Sequence, residues 1–177
     1  MTKQKMEMKN EENPMRKIKI EKVTLSIGGT GDYLERGFKL LKYLTGKNPM
    51  KTHSKKRIPT WAVRPGLEVG TVVTIRGEEI EEFLKKMLST IDNKLRKKQV
   101  SENTLGFGIK EYIEVPGAEY QRDIGIMGFD VIVTFKRPGR RIKLRKIKQS
   151  RVGKKQMVQK DEIVKFMEEN FGTKFRK

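Results

Sequence analysis

The chain has 177 residues, enough for one domain with a hydrophobic core, and its length gives little reason to divide it. It carries 41 Lys and Arg against 22 Asp and Glu, a formal charge of +19, so an anionic partner is expected, with nucleic acid ahead of an anionic membrane surface. The lack of cysteine excludes disulfides, thiolate nucleophiles and cysteine zinc sites, and the single histidine, His53, cannot form an imidazole cluster, so neither a metal nor a cofactor is expected.

The N-terminal residues and the hydropathy of the chain bear on its localisation. Residues 1–13 have mixed charge and no sustained period, which predicts a flexible tail before a single domain at 14–177. The tail is too polar for a secretory signal, and no apolar run approaches the roughly 18 residues of a spanning helix. We therefore expect a cytoplasmic protein that does not enter a membrane.

Three segments alternate between apolar and polar residues with the period of a strand. They cover residues 16–27, 69–76 and 128–136, and the first changes phase at Glu21 and Lys22, which predicts a bulge. Residues 48–53, 105–109 and 112–115 are candidates for shorter strands. The alternation puts a polar set on the outward face, namely Lys22, Thr24, Ser26, Thr74, Arg76, Thr134 and Lys136.

Helices are predicted at three places. Residues 32–45 follow a glycine turn and stop at Gly46, and residues 161–170 form a short amphipathic helix that stops near Gly172. The strongest apolar stripe predicts a helix over 78–98, with acids at its start and Arg96, Lys97 and Lys98 at its end. The fold class is therefore α+β, an antiparallel sheet with helices packed on one face and the other face open. Hydroxyls and cations on an open face suit the shallow minor groove of RNA.

A long basic loop joins the second and third strands. No acid lies between Glu35 and Glu68, whereas nine Lys and Arg do, and Pro59 and Pro65 stiffen the loop. Trp61, the only tryptophan, can stack on a base or ribose between two arginines, Arg57 and Arg64. The alternative is that Trp61 folds back onto the sheet and the charges form a solvated face.

A second basic segment, which we call the basic arm, runs over residues 137–155. It contains ten Lys and Arg and no acid. Such a one-signed segment predicts a further polyphosphate-binding surface.

Several motifs, in one order along the chain, resemble the universal large-subunit ribosomal protein five family in its archaeal form. They are Asn13-Pro-Met-Arg16, the segment from Ile20 to Gly28, Leu44 to Pro49, Arg57-Ile-Pro-Thr60, Arg64-Pro-Gly66, Val73 to Gly77, Phe107 to Ile109, Tyr112 to Gly117, Asp123 to Val131 and Phe135 to Gly139. The resemblance covers nearly all of the chain after Asn13.

This resemblance implies a structural, non-enzymatic RNA-binding protein of the ribosome. Family members lie in the central protuberance, bind 5S rRNA, and reach the elbow of P-site tRNA. The implied partners are 5S rRNA, 23S-type rRNA, P-site tRNA, and neighbouring proteins of the central protuberance and the small-subunit head.

The resemblance also assigns residues. For 5S rRNA it implies Thr24, Ser26, Lys47 and Thr74, to which the pattern of the chain adds Lys22, Lys51 and Arg76. For the tRNA-contacting loop it implies Lys55, Lys56, Arg57, Thr60, Trp61 and Arg64. For further rRNA contacts in the basic arm we expect Arg140, Arg141, Arg145 and Lys146. Many relatives have asparagine in place of Ser26 and glutamine in place of Lys47.

Alternatives of other classes remain open at this point. Gly106-Phe107-Gly108 echoes part of the RNA-recognition-motif signature, so a non-ribosomal RNA-binding protein of that type is the second interpretation. An RNA-directed enzyme would need carboxylates that hold magnesium, but the acids lie at helix starts or far apart. A membrane-surface protein would need a helix with a basic polar face, whereas these helices pair acids with bases.

Overall fold

The computed structural model describes residues 13–176, and the predicted tail at 1–13 lies outside this range except for Asn13. Its main element is a six-stranded sheet in the order β2-β3-β1-β7-β6-β5, in which all neighbouring strands are antiparallel. The strands are β1 (Lys19–Gly28), β2 (Met50–His53), β3 (Glu68–Ile75), β5 (Val100–Ser101), β6 (Thr104–Ile109) and β7 (Phe129–Lys136). A separate parallel pair joins β4 (Lys94–Arg96) to β8 (Lys174–Arg176).

Four α-helices accompany the strands. They are α1 (Asp32–Thr45), α2 (Glu79–Thr90), α3 (Arg141–Leu144) and α4 (Lys160–Phe171). The apolar sides of α1, α2 and α4 and the inward residues of β1, β3, β6 and β7 form one core cluster, so these helices lie on the same side of the sheet. Leu25, Leu84 and Phe135 in this cluster are fully buried. The α+β prediction is therefore confirmed.

The two central strands fix the register of the whole sheet. Val23 and Leu25 of β1 pair with Ile75 and Val73 of β3 on one side, and β1 pairs with β7 on the other. The pairing of β1 with β7 shifts between Ile20 and Lys22, which is the bulge predicted from the change of phase. Side chains therefore alternate strictly between the helix-covered face and the opposite face.

The long helix predicted over 78–98 is wrong at its C-terminal end. Helix α2 stops at Thr90, because Asp92 and Asn93 adopt positive φ angles of 52° and 55°, a conformation that Asp and Asn tolerate better than most residues. The chain then turns into β4, where Leu95 is buried beside the C-terminal strand β8. Leu95 belongs to the core as predicted, but it gets there from a strand.

Residues 112–115 also differ from the prediction of a strand. Tyr112–Glu114 forms a 3-10 turn, in which the buried Tyr112 hydroxyl accepts a 2.8 Å hydrogen bond from the backbone N–H of Gln121. Within the described range, no helix is both long and apolar enough to cross a membrane.

Candidate nucleic-acid interface

We call the side of the sheet opposite the helices the open face, and define it by the outward residues of its strands. Register places Thr24 between Thr74 of β3 and Ile132 of β7, in the middle of the sheet. Ser26, two residues on, lies between Val72 and Asp130. The central rows of the open face are therefore set by the backbone pairing and need no rearrangement to present their hydroxyls.

The ends of the open face differ in charge. Lys19 faces Lys136, and Lys22 faces Thr134, at the end where β1 starts and β7 finishes. Arg76, directly after β3, is exposed. Asp130 lies at the opposite end and faces Gly108 of β6. An RNA phosphate is therefore favoured at the lysine end and disfavoured beside Asp130.

The open face also carries apolar side chains at its surface. Ile132 is 37% exposed and Met50 of the edge strand β2 is 67% exposed. Met50 pairs with Val72, which pairs with Ser26, so all three lie on the open face. These side chains supply flat apolar contacts beside the hydroxyls.

Two lysines of the predicted 5S rRNA site are placed differently. Lys51 pairs with Thr71, a residue of the helix-covered face, and its Nζ contacts the carboxylates of Glu35 of α1 at 2.5 Å and Glu68 at 2.9 Å. Hydrogen bonds with Glu35 first and Glu68 second raise the pKa of Lys51 above its ordinary 10.5. The structure therefore does not bring Lys51 to the open face, because the two-residue period of β2 turns it the other way.

Lys47 lies in the connection between α1 and β2. Its Nζ forms a 2.6 Å ion pair with Glu79 at the N-terminus of α2. Side-chain exposure of 41% for Lys47 and 72% for Glu79 leaves the pair accessible to solvent, and such pairs are weak. A competing phosphate can therefore replace Glu79 at low cost.

The basic loop, residues 54–67, is an extension of the β2–β3 hairpin. Backbone hydrogen bonds from Ser54 N–H to the Leu67 carbonyl and from Gly66 N–H to the Ser54 carbonyl close its base. Near the tip, Ile58 and Val63 form a bridge with backbone bonds in both directions, and Val63 is buried. The loop is thus a built structure, with a 3-10 turn at Pro59–Trp61 as its tip.

Trp61 and the cations of the loop face solvent. Trp61 is 75% exposed, so the alternative in which it folds back onto the sheet is wrong. Lys55, Lys56, Arg57, Thr60 and Arg64 are exposed as well. Within residues 13–176, no carboxylate forms an ion pair with any of the four cations. An aromatic ring and uncompensated charge are therefore available together at the loop tip.

The basic arm is only partly exposed. Arg137 has a side-chain exposure of 5% and donates to Glu162 of α4 at 2.6 Å, and Arg140 is paired with Glu21 of the β1 bulge. Arg141, Arg145 and Lys146 are exposed. Two of the ten arm cations thus hold the arm to the body, which sequence reasoning missed because their acidic partners lie 25 and 119 residues away.

Comparison with known proteins decides the family. Residues 13–64 match the family described as ribosomal protein L5, and residues 68–168 match the model for the C-terminus of the same ribosomal protein family. The chain belongs to the ribosomal protein L5 family. It is 45% identical to the large ribosomal subunit protein uL5 of Nanoarchaeum equitans, over 92% of this chain and 98% of that protein. It is 39% identical to the same protein of Sulfurisphaera tokodaii, over 91% and 93%, and 38% identical to that of Methanobrevibacter smithii, over 92% and 98%.

Membership of the L5 family answers three of the predictions. The archaeal form of the family is confirmed, since these relatives are archaeal proteins. Proteins of the L5 family are structural, non-enzymatic components of the large ribosomal subunit, so the enzyme alternative is rejected and the ribosome in the cytoplasm is the location. The RNA-recognition-motif interpretation is wrong, because Gly106 and Gly108 lie on the strand β6 of an L5 fold.

Proposed function

We propose that this L5-family protein binds 5S rRNA in the central protuberance through the open face of its sheet, and contacts P-site tRNA through its basic loop. Membership of a ribosomal protein family supports the ribosomal setting. The observation that carries the proposal for 5S rRNA is the central row of hydroxyls, Thr24, Ser26 and Thr74, on a sheet face that α1, α2 and α4 leave uncovered.

The chemistry of this face matches that of an RNA helix seen from its minor groove. Ribose 2′-hydroxyls both donate and accept hydrogen bonds, as Thr and Ser hydroxyls do, so a row of each can pair without charge. Lys22 and Arg76 at the cationic end add phosphate contacts, which position the RNA without reading its sequence. A flat face with Ile132 at its centre accommodates the ribose surface between these contacts.

A pair of double variants tests the 5S rRNA contact. Ser26→Ala with Thr74→Ala removes two hydroxyls from the open face, and we expect 5S rRNA affinity to fall about 5- to 30-fold at constant salt, since each lost hydrogen bond is worth about 0.5–1.5 kcal/mol. Ser89→Ala with Thr90→Ala is the matched control, because it removes the same two hydroxyl types from the end of α2, where they bond to the Lys86 carbonyl. Equal loss in the two double variants would contradict the proposal.

The loop is the proposed tRNA contact. Trp61 offers a stacking surface to an unpaired base or a ribose, while Arg57 and Arg64 can each bind a phosphate through two parallel hydrogen bonds. The bridge between Ile58 and Val63 holds the tip in shape, which lowers the entropy lost on contact.

Site-specific crosslinking tests the loop. A photoreactive aromatic residue in place of Trp61 is expected to crosslink to tRNA in reconstituted large subunits that carry P-site tRNA, and the same residue in place of Tyr120, on a different surface loop, is not. Crosslinks from position 61 only to 5S rRNA or only to protein would contradict the tRNA assignment.

The basic arm is the proposed contact with 23S-type rRNA. Arg141, Arg145 and Lys146 are the expected contributors, whereas Arg140 is engaged with Glu21. Neighbouring proteins of the central protuberance and of the small-subunit head complete the proposed partners.

A further inference from the structure

A cavity lies where β7 leaves the sheet and the basic arm begins. It has a volume of about 90 Å³, and its polar lining comes from Asn103, Lys136, Arg137, Arg140, Lys143 and Gln156. Four of these side chains are cationic and none of the lining residues is acidic. The cavity therefore has an environment suited to an anion.

Arg137 is the best-held of these cations. Its Nη1 donates to the carbonyls of Lys155 at 3.2 Å and Met157 at 3.5 Å, and its Nη2 donates to Glu162 at 2.6 Å. Its Nε is buried and has no acceptor among the described residues. A buried donor without an acceptor is unfavourable, and in native structures such a group commonly marks an ion or a water that completes the site.

The rest of the lining is also fixed in place. The Gln156 side-chain amide donates to the carbonyls of Met15 at 2.9 Å and Pro138 at 3.1 Å, and Asn103 Oδ1 accepts from Val158 N–H at 2.9 Å. Arg140 is held by Glu21, so its charge is compensated. Lys136 and Lys143 form no ion pair within residues 13–176, so they are the cations of this cavity with charge to offer.

The position of the cavity indicates where its anion comes from. Lys136 is the last residue of β7, and its side chain lies on the open face opposite Lys19. An RNA strand that follows the cationic end of the open face toward the exposed cations of the arm passes this point. A phosphodiester group of that strand has the size and charge to enter a small cationic cavity.

We propose that this cavity is a phosphate-binding site, which takes one backbone phosphodiester of RNA bound to the open face. Lys136 and Lys143 bind its oxygens, and the buried Arg137 and the paired Arg140 hold the cavity in shape and supply a positive field. The proposal rests on the function proposed for the open face, and it connects that face to the basic arm.

The test compares two double variants with the same loss of charge. Lys136→Gln with Lys143→Gln removes the two unpaired cations of the cavity, and Lys146→Gln with Lys148→Gln removes two arm cations outside its lining. The probes are dimethyl phosphate, which has the charge of a phosphodiester, and inorganic phosphate, each compared with sodium chloride at equal ionic strength. The readout is the melting temperature of the full chain.

We expect dimethyl phosphate at about ten times its Kd to raise the melting temperature of the wild type and the Lys146/Lys148 variant by about 3 °C, and to leave the Lys136/Lys143 variant unchanged. Equal shifts in all three proteins, or none in the wild type, would overturn the proposal. Stabilisation by inorganic phosphate alone would also overturn it, since the site would then select a free anion. Because no RNA is used, this result is independent of whether the open face binds 5S rRNA.

Discussion

The open face and the basic loop present RNA-binding chemistry in two different ways. On the open face, pairing along β3, β1 and β7 fixes the spacing of Thr24, Ser26 and Thr74 to that of the strands. In the loop, exposed cations surround an exposed Trp61, and only a few backbone bonds hold the hairpin extension. A fixed array of hydroxyls can discriminate between RNA shapes, whereas exposed cations follow the phosphates of any RNA. We infer that the face provides specificity and the loop provides reach and salt-dependent attraction.

Introducing a negative charge on the open face should produce the largest effect. Thr74→Glu places a carboxylate beside Thr24, and we expect 5S rRNA affinity to fall by at least about 30-fold, because juxtaposed like charges cost several kcal/mol and 1.4 kcal/mol is tenfold. Filter binding at constant salt measures it. Thr90→Glu, on the helix side, has the same change in charge and should bind within about twofold of wild type, since exposed substitutions are nearly neutral.

Removing charge from the loop should change the salt dependence of RNA binding. With Lys55, Lys56, Arg57 and Arg64 all changed to Gln, the slope of log K against log salt for non-specific single-stranded RNA should fall in magnitude by up to about 3, since each phosphate contact contributes about 0.7. A salt titration by fluorescence anisotropy measures the slope. If the preference of the variant for 5S rRNA over other RNAs disappeared with an unchanged slope, the two roles would have to be exchanged.

Two lysines on opposite faces of the sheet give a smaller and sharper comparison. Lys22→Gln, on the open face, should weaken 5S rRNA binding about 5- to 10-fold, while Lys51→Gln, on the helix-covered face, should stay within about twofold. Competition binding against wild type resolves this difference. A larger loss for Lys51→Gln would mean that the edge strand β2 is reached by RNA from the helix side.

Titration of Lys51 provides a check on its placement. Its pKa is raised in the folded protein by Glu35 and then Glu68, so its ion pairs stabilise the fold below the ordinary pKa of 10.5 and that stabilisation is lost as pH rises through the raised value. The difference in unfolding free energy between wild type and Lys51→Gln should therefore be constant from pH 7 to pH 9 and shrink above about pH 10.5. Urea denaturation at several pH values measures it, and a difference that shrank below pH 9 would contradict the assignment.

The smallest effect is expected from Trp61→Ala. Because Trp61 is 75% exposed, the melting temperature should change by less than about 2 °C and 5S rRNA affinity by less than about twofold. Differential scanning fluorimetry and filter binding check both. A strong loss of stability would mean that Trp61 packs on the body of the protein in solution.

The fold was predictable where one period extends over a whole element. Alternation along β1, β3 and β7 predicted the two faces and the bulge near Lys22. It failed where a local backbone preference overrode the period, as at Asp92 and Asn93, whose positive φ angles end α2 while Leu95 continues the apolar pattern in a strand. A helical stripe alone carries no signal for such a turn.

The site was predictable in composition more than in placement. Thr24, Ser26 and Thr74 follow from strand alternation, but the partners of Lys51, Arg137 and Arg140 depend on which elements meet in space. Lys51 lies in a strand of four residues, too short for its pattern to reveal its face. Pairing with distant acids therefore divides the cations into those that hold the fold and those that face the solvent, and no run of charge reveals this division.

Side-chain oxidation with and without 5S rRNA tests the central claim most directly. Met50 is 67% exposed on the open face, and Tyr120 is 56% exposed in the loop whose Glu119 N–H donates to the hydroxyl of Tyr43 on α1. Both residues react with hydroxyl radicals, and mass spectrometry measures their rates in one sample. We predict that 5S rRNA slows oxidation of Met50 and leaves that of Tyr120 unchanged. Protection of Tyr120 with Met50 still reactive would place the RNA on the helix side and contradict the account.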